Sequence, residues 1–508
     1  MRIRHLFFAI FFSFLFVVQV TAAKEPDERT PIKDVHLWHT QKMMNLATLA
    51  CGSVYPPPSA PKDCYGKMLR AFEKEGGAVV APSFGLPFTF EWSFRASFGN
   101  EHFALAKETA ADVRFRCQLL ATLSSATECY EKFYHLALSV FDPHSAYLSK
   151  GEFAEMQAAM AGELQGVGLE IATSKPQEPL LVFGPIEGGP AEKAGIQAND
   201  LITKIDGKLV TDFKDQDEAI KAIRGNPGTT VVLEVVREGA PLPLQISIVR
   251  QKIHYASVKA QMLQDGESLY GLIKIQQFGD DTSQELEKAV RELQRKHKLS
   301  GMIVSVEGNP GGLLNEVVRA VDLFLDAESI ALERNNEGIA PFAVNPQKHV
   351  PGDVTRGLPM LVVVNAFSAS ASEVFAGAMK HFGRAAIAGT SGTYKKGTVQ
   401  SLWVAFEDGA GLKVTTAEYL VGTPSDWIPV QCLGVDPDML FTRSDLKIPK
   451  EFKSECETEG SLRSLGGMPN PPVHTSFREA NPAHFAIAES MLLRYKLHVE
   501  EQAAKRKK

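Results

Sequence analysis

Val362-Val363-Val364-Asn365-Ala366-Phe367-Ser368-Ala369-Ser370-Ala371-Ser372-Glu373 reads as a buried strand that turns into a helix. Consecutive valines suit a strand covered on both faces. A hydroxyl at such a corner sits at a helix N-terminus. The unpaired N–H groups and the positive dipole end there favour a developing oxyanion. Ser368, Ser370 and Ser372 all compete for that place, and local chemistry does not choose among them. A run of Ser and Ala also suits a tight helix–sheet contact.

Two flanking segments supply further parts of a serine–lysine hydrolase. Upstream lies Gly308-Asn309-Pro310-Gly311-Gly312, between a strand and a helix. Glycine there permits close backbone approach, so Gly311 or Gly312 could offer one oxyanion donor and Ala371 the other. Downstream lies Tyr394-Lys395-Lys396-Gly397-Thr398-Val399-Gln400. Lys395 and Lys396 are expected on a strand and would face opposite sides of it, with Gln400 on the Lys396 face. A lysine base must be neutral, which burial promotes. His381 is a poor alternative: on the helix shared with Ser370 it would lie roughly 16 Å away.

The segments around this corner alternate strand and helix from 268 to 440. Leu269–Ile275, Met302–Val306, Met360–Val364 and Thr398–Ala405 read as strands. Ser283–His297, Leu313–Leu325 and Ser370–Phe382 read as helices, the second with Leu314, Val317, Val318, Val321, Phe324 and Leu325 on one face. Such alternation predicts an α/β domain with helices packed on a sheet. Residues 162 to 252 instead read as a β-rich module, with short helices at 190–194 and 215–223. Its Gln165-Gly166-Val167-Gly168-Leu169-Glu170-Ile171 run can aim backbone N–H groups at an anion. Residues 24 to about 150 read as helical, interrupted by Pro56-Pro57-Pro58 and by prolines from Pro82 to Pro87. Asn481 to Lys508 reads as an amphipathic helix.

The 508-residue chain carries formal charge −6 with no basic stripe, which argues against a nucleic-acid partner. Arg2 and Arg4, an apolar core from Leu6 to Val18, and Val20-Thr21-Ala22-Ala23 form an export signal too short to span a bilayer comfortably. The expectation is an exported protein, periplasmic if bacterial, with no transmembrane segment in the mature chain. Six cysteines fall in three local pairs, 51–64, 117–129 and 432–456, and export permits disulfides. No Cys-x-x-Cys or paired-His motif argues for a metal.

Two resemblances follow from motif order. Gly189-Pro190-Ala191-Glu192-Lys193-Ala194-Gly195-Ile196, then Asn199 through Gly207, resembles a PDZ domain. That resemblance implies that Val167, Gly168 and Leu169 cap a peptide carboxylate. The larger order runs Asp142-Pro143-His144-Ser145-Ala146-Tyr147, the PDZ, Asn309-Pro310-Gly311-Gly312, Ser368 to Glu373, Lys396-Gly397-Thr398-Val399-Gln400 and Gly434-Val435-Asp436-Pro437-Asp438. It resembles the carboxyl-terminal processing (tail-specific) serine proteases. The resemblance implies Ser370 as nucleophile, Lys396 as base, Gln400 as the residue that orients the lysine, a crotonase-like core, and no cofactor.

This sequence departs from the family's usual Asp-Leu-Arg-Asn-Asn, with Ser305-Val306-Glu307-Gly308-Asn309 instead. Many members also have Asp where His381 stands. The segment from Tyr419 to Gln431 looks altered too.

The expected architecture is multidomain α/β: signal peptide 1–23, helical domain 24–155, PDZ domain 156–255, α/β protease core 256–445 and helical extension 446–508. The expected partners are protein substrates presented by their C-termini, with the helical extensions as adaptor or homo-oligomer surfaces. The alternative reading is a catalytically silent PDZ scaffold on a protease-like core.

Overall fold

In the computed structural model, the strands around the serine corner are buried on both faces, as their unbroken apolar runs demand. The structure describes residues 61–76 and 123–139, most of 141–443, 452–457 and 481–506, together with scattered positions between 39 and 51 and at 109 and 113. The export signal and Cys117 lie outside the described residues, as do the proline breaks.

The chain divides into two compact units. The smaller holds residues up to 153 together with 400–416. The larger holds 154–399 and 417–508.

The smaller unit is built on two helices, Pro61–Gly76 and Leu123–Ser139. Tyr130, Phe133, Tyr134 and Leu138 bury one face of the second helix against Met68, Met43 and Leu46. A Cys51–Cys64 disulfide closes the base of this cluster. Ala146–Leu148 pairs antiparallel with residues 411–413. A buried lysine sits inside the same core. Lys42 Nζ lies 2.5 Å from Asp408 and donates at 2.8 Å to the Tyr147 hydroxyl, with Tyr134, Tyr147 and Phe406 rings around it. Pairing and cation–π contact offset its desolvation.

In the larger unit the PDZ strands run in the order 169–171, 180–185, 201–205, 230–236 and 244–249. Their inward residues, among them Val182, Ile202, Leu233 and Ile248, form one core with Val167 and Ile223. Arg250 closes the C-terminus of the Gln216–Ile223 helix by donating to the Ala222 and Ile223 carbonyls, at 2.7 and 3.0 Å.

The remaining core is a six-stranded sheet in the order 258–265, 268–275, 301–305, 360–364, 386–389 and 439–440. The first pair is antiparallel and the rest are parallel. Side chains alternate between faces. Met302, Val304, Val362, Val364 and Ile387 meet the helices Thr282–Lys296, Leu314–Asp322 and Ala371–His381. Ile303, Leu361, Val363, Ala386 and Ala388 meet the Pro482–Arg506 helix through Phe485, Ala488, Met491 and Tyr495. The amphipathic C-terminal helix is therefore a layer of the core. Gly301 is small because a Cβ there would lie 2.7 Å from Met491 Sδ.

One expectation fails locally. Lys395 and Lys396 are not on a strand: the strand begins at Thr398, and Lys395 has φ +76°. A left-handed residue breaks the two-residue alternation, so the two lysines do not take opposite faces of a strand.

Candidate active site

The Met360–Val364 strand delivers the chain to a corner that ends at Ser370, the N-cap of the Ala371–His381 helix. The three serines separate at once. Ser368 is buried; its hydroxyl accepts the Asn365 N–H at 3.0 Å and donates to the Val306 carbonyl at 2.8 Å. Ser372 is buried and donates to the Asn309 carbonyl at 2.9 Å. Both hydroxyls are spent on backbone. Ser370 is half-buried and has φ +58°, ψ −120°. That conformation is costly for a residue with a Cβ, and such strain concentrates at functional sites. The Ser370 side chain lies close to the buried Tyr419 phenol.

The glycine loop packs directly on this corner. A Cβ on Gly311 would lie 2.7 Å from Ser370 Cβ and 3.0 Å from the Ala371 nitrogen. Asn309, fully buried, ties the loop together. Its carbonyl accepts the Ala369 N–H at 3.0 Å, its Oδ1 accepts the Gly311 N–H at 2.9 Å, and its Nδ2 donates to the Ile275 carbonyl at 3.1 Å. The Gly311 N–H is thus engaged. Gly312 is exposed and has φ +141°; a Cβ would fall 2.2 Å from the Phe278 carbonyl oxygen. Ala371 opens the helix, so its N–H has no acceptor one turn earlier within it.

Glu373 joins the serine corner to the lysine loop. It is fully buried. One carboxylate oxygen accepts the Thr393 hydroxyl and the Lys395 N–H, at 2.5 and 2.6 Å. The other accepts the Ser370 and Lys396 N–H groups, at 2.9 and 2.8 Å. Burial pushes this carboxyl up to about 7, against the pull of those bonds. Sequence reading placed Glu373 only in the first helical turn. The signal that finds it is Ser370-x-x-Glu373, the capping-box spacing.

Lys396 is half-buried on the loop before Thr398. Tyr419 donates its hydroxyl to the Lys396 carbonyl at 2.6 Å, and its N–H to the Gly397 carbonyl at 2.9 Å. Burial raises that phenol well above its ordinary value. His381, at the far end of the helix, turns its Nε2 to Asp426 at 3.4 Å.

Gln400 belongs to a separate network in the smaller unit. Its amide donates to Thr415 Oγ1 at 3.2 Å. Thr415 in turn donates to Asp142 at 3.0 Å, and its N–H reaches Ser145 Oγ at the same distance. Asp142 also accepts the His144 and Ser145 N–H groups, at 2.8 and 2.9 Å. The Asp142-Pro143-His144-Ser145 turn therefore fixes the threonine that holds Gln400.

In the PDZ module, Val167 and Gly168 are buried, and Leu169 opens the edge strand. Gly168 has φ +76°, and a Cβ there would lie 2.9 Å from Ile253 Cδ1. An edge strand leaves one row of backbone groups for an added strand.

Residues 269–441 match Peptidase family S41, and residues 182–237 match a PDZ domain. The chain is 33% identical over 356 residues to a carboxy-terminal-processing protease of Bartonella bacilliformis, covering 70% of this chain and 78% of that protein. It is 33% identical over 319 residues to a carboxyl-terminal-processing protease of Synechocystis, covering 62% and 71%. The chain belongs to the carboxyl-terminal-processing protease family. A solved structure of a photosystem II D1 C-terminal processing protease is 25% identical, with TM-score 0.43, covering 76% of this chain and 94% of that one. As a family member the chain is a serine-type endopeptidase.

The departure at Ser305-Val306-Glu307 has its own partners in this protease. Glu307 is buried and pairs with Arg443 at 2.9 Å. Its carboxylate also accepts the Tyr495 hydroxyl from the C-terminal helix. An acidic residue stands here because a cation and a phenol from later in the chain face it. Among the described residues no group of His, Cys, Asp and Glu could hold a metal ion, and no helix is long and apolar enough to cross a membrane.

Proposed function

We propose that this protease is exported and trims proteins near their C-termini by Ser–Lys chemistry. Ser370 attacks the scissile carbonyl. Lys396, acting in its neutral form, takes the hydroxyl proton and returns it to the leaving amine. Gln400 orients the lysine, a role carried from the Lys-Gly-Thr-Val-Gln motif. The Ala371 N–H and a glycine N–H stabilise the tetrahedral oxyanion. Gly312 is preferred over Gly311, whose N–H already serves Asn309. The acyl-enzyme ester is then hydrolysed.

The observation that carries this reading is the sorting of the serines: Ser368 and Ser372 spend their hydroxyls on backbone carbonyls, while Ser370 stands strained at the helix N-terminus beside Gly311.

In the PDZ module, the backbone around Val167, Gly168 and Leu169 receives the substrate's terminal carboxylate. The preceding residues add a strand along Leu169–Ile171. The chemistry as drawn uses no cofactor.

The test is cleavage of an unstructured protein with an apolar C-terminus. Ser370→Ala should lower kcat by a factor on the order of 1,000 or more. Amidating the substrate C-terminus should lower kcat/KM. Equal rates for wild type and Ser370→Ala would remove Ser370 from the mechanism. Unchanged kcat/KM after amidation would remove carboxylate recognition.

A further inference from the structure

Backbone groups on both sides of Lys396 are gripped by segments from later in the chain. Cys432 donates its N–H to the Lys395 carbonyl at 2.9 Å. Gln431 Oε1 accepts the Gly397 N–H at 2.7 Å. Glu455 donates its N–H to the Tyr394 carbonyl at 2.9 Å. Phe452 sets its ring edge-on to Tyr394, at 6.0 Å between centroids, and to Phe367 of the serine corner, at 5.0 Å. The gripping residues come from two segments, 430–434 and 452–457. A disulfide between Cys432 and Cys456 joins them.

Strain marks the same place. Six described non-glycine residues have positive φ, and three of them are Ser370, Lys395 and Cys432. Cys432 and Lys395 are bonded to each other through backbone. A left-handed residue with a Cβ persists only where its surroundings over-determine it. For Cys432 the covalent bridge is one such constraint. The segment 452–457 contributes no residue to the large apolar clusters and lies beyond the stretch that matches the S41 family. The bridge fastens that strap over the loop.

We propose that the Cys432–Cys456 disulfide positions Lys396, so that the protease hydrolyses peptides when the bridge is oxidised and idles when it is reduced. The proposal rests on Lys396 being the base. Cys432 and Cys456 are positioning residues, which act on Lys396 through the backbone of its neighbours. Both are half-buried, which leaves them within reach of a small thiol. A dithiol reductant acts by exchange. One of its thiolates attacks a bridge sulfur, the Cys432–Cys456 bond breaks, and a mixed disulfide forms. The second thiol then closes the reductant's own ring. Two electrons and two protons end on the two cysteines. Released, Cys432 relaxes out of its left-handed conformation and withdraws its N–H from Lys395, and the strap leaves Tyr394.

The experiment uses the full mature chain with three readouts: kcat and KM on the unstructured substrate, binding of a C-terminal peptide to the PDZ module, and labelling by a serine-directed fluorophosphonate. Dithiothreitol should lower kcat at least tenfold, with KM and peptide binding within twofold. Reoxidation should restore kcat. Cys432→Ser/Cys456→Ser should sit at the reduced level and ignore dithiothreitol. Cys51→Ser/Cys64→Ser should respond as wild type does.

Wild-type kcat in the reduced enzyme, or in the 432/456 variant, overturns the proposal. Loss of peptide binding together with kcat also overturns it, because reduction would then act by unfolding. If the 432/456 variant does not fold, reversible reduction of the wild type decides alone. If the oxidised wild type neither cleaves nor labels at Ser370, the Ser–Lys reading itself fails, and the inference with it.

Discussion

The serine corner and the lysine loop do equal work in the proposed reaction but are built by different means. The corner is local. A strand, a turn and a helix N-terminus fix Ser370 within a dozen residues, and the Asn309 loop completes it. The lysine loop has no regular structure of its own. Its groups are held by Glu373, Tyr419, Gln431, Cys432 and Glu455, all distant in sequence. Geometry made by secondary structure persists while the core persists. Geometry borrowed from remote segments can be lost with the core intact, which makes the loop the place where activity can be set.

Gly397→Ala tests that difference most severely. A Cβ there would lie 2.3 Å from the Gln431 nitrogen and 2.8 Å from its Cα. Both are backbone atoms, so the loop itself must move. The expected result is a fall in kcat on the order of 100-fold, since small misplacement of a reacting group costs about that much. Peptide binding at the PDZ module and the melting temperature should stay near wild type. A parallel collapse in stability would show that the loop belongs to the core and would erase the contrast.

The joint between the two regions is Glu373, and its effect is smaller and pH-dependent. Its carboxyl is raised from 4.5 to about 7 by burial. An acid raised in the folded state holds its proton more tightly folded than unfolded. Its contribution to stability is present below the unfolded value and is lost as pH rises through about 7. The span from 4.5 to 7 corresponds to about 3 kcal/mol. Glu373→Gln cannot titrate and also turns an amide towards two donors, so it should be less stable than wild type throughout. The stability gap should narrow by roughly 2–3 kcal/mol between about pH 4.5 and pH 7.5. Denaturant unfolding of both proteins across that range measures it. A constant gap would mean that Glu373 stays ionised and that its four bonds outweigh burial.

The same contrast explains what the sequence disclosed. Apolar runs and helical spacing located the parallel strands at 301–305 and 360–364 and the helices at 282–296, 314–322 and 371–381 to within three residues at each end. Each rests on short-range periodicity. The edge strand Val258–Asp265 escaped, because most of its residues are exposed and only Leu263 is buried, which leaves no apolar run. The lysine loop was misread as strand for the reason given above: Lys395 is held in a left-handed turn by a carbonyl contact to Cys432, and no local pattern records a partner so far along the chain. Glu307 looked like a plain departure from the family, since its partners Arg443 and Tyr495 come from the end of the chain.

The smallest effect concerns the serines of the corner, where local residue type left three candidates open. Ser372 donates to the Asn309 carbonyl, but that carbonyl also accepts the Ala369 N–H. Ser372→Ala therefore removes one hydrogen bond and orphans no buried group. It should cost about 1 kcal/mol of stability. With Ser370 and Glu373 undisturbed, kcat should stay within about threefold, since the variant removes no group from the proposed reaction. Thermal unfolding and steady-state kinetics on the same preparation give both numbers. A loss of kcat as deep as that expected for Ser370→Ala would mean that the hydroxyl spent on Asn309 is the reactive one, and that strain at Ser370 had been read backwards.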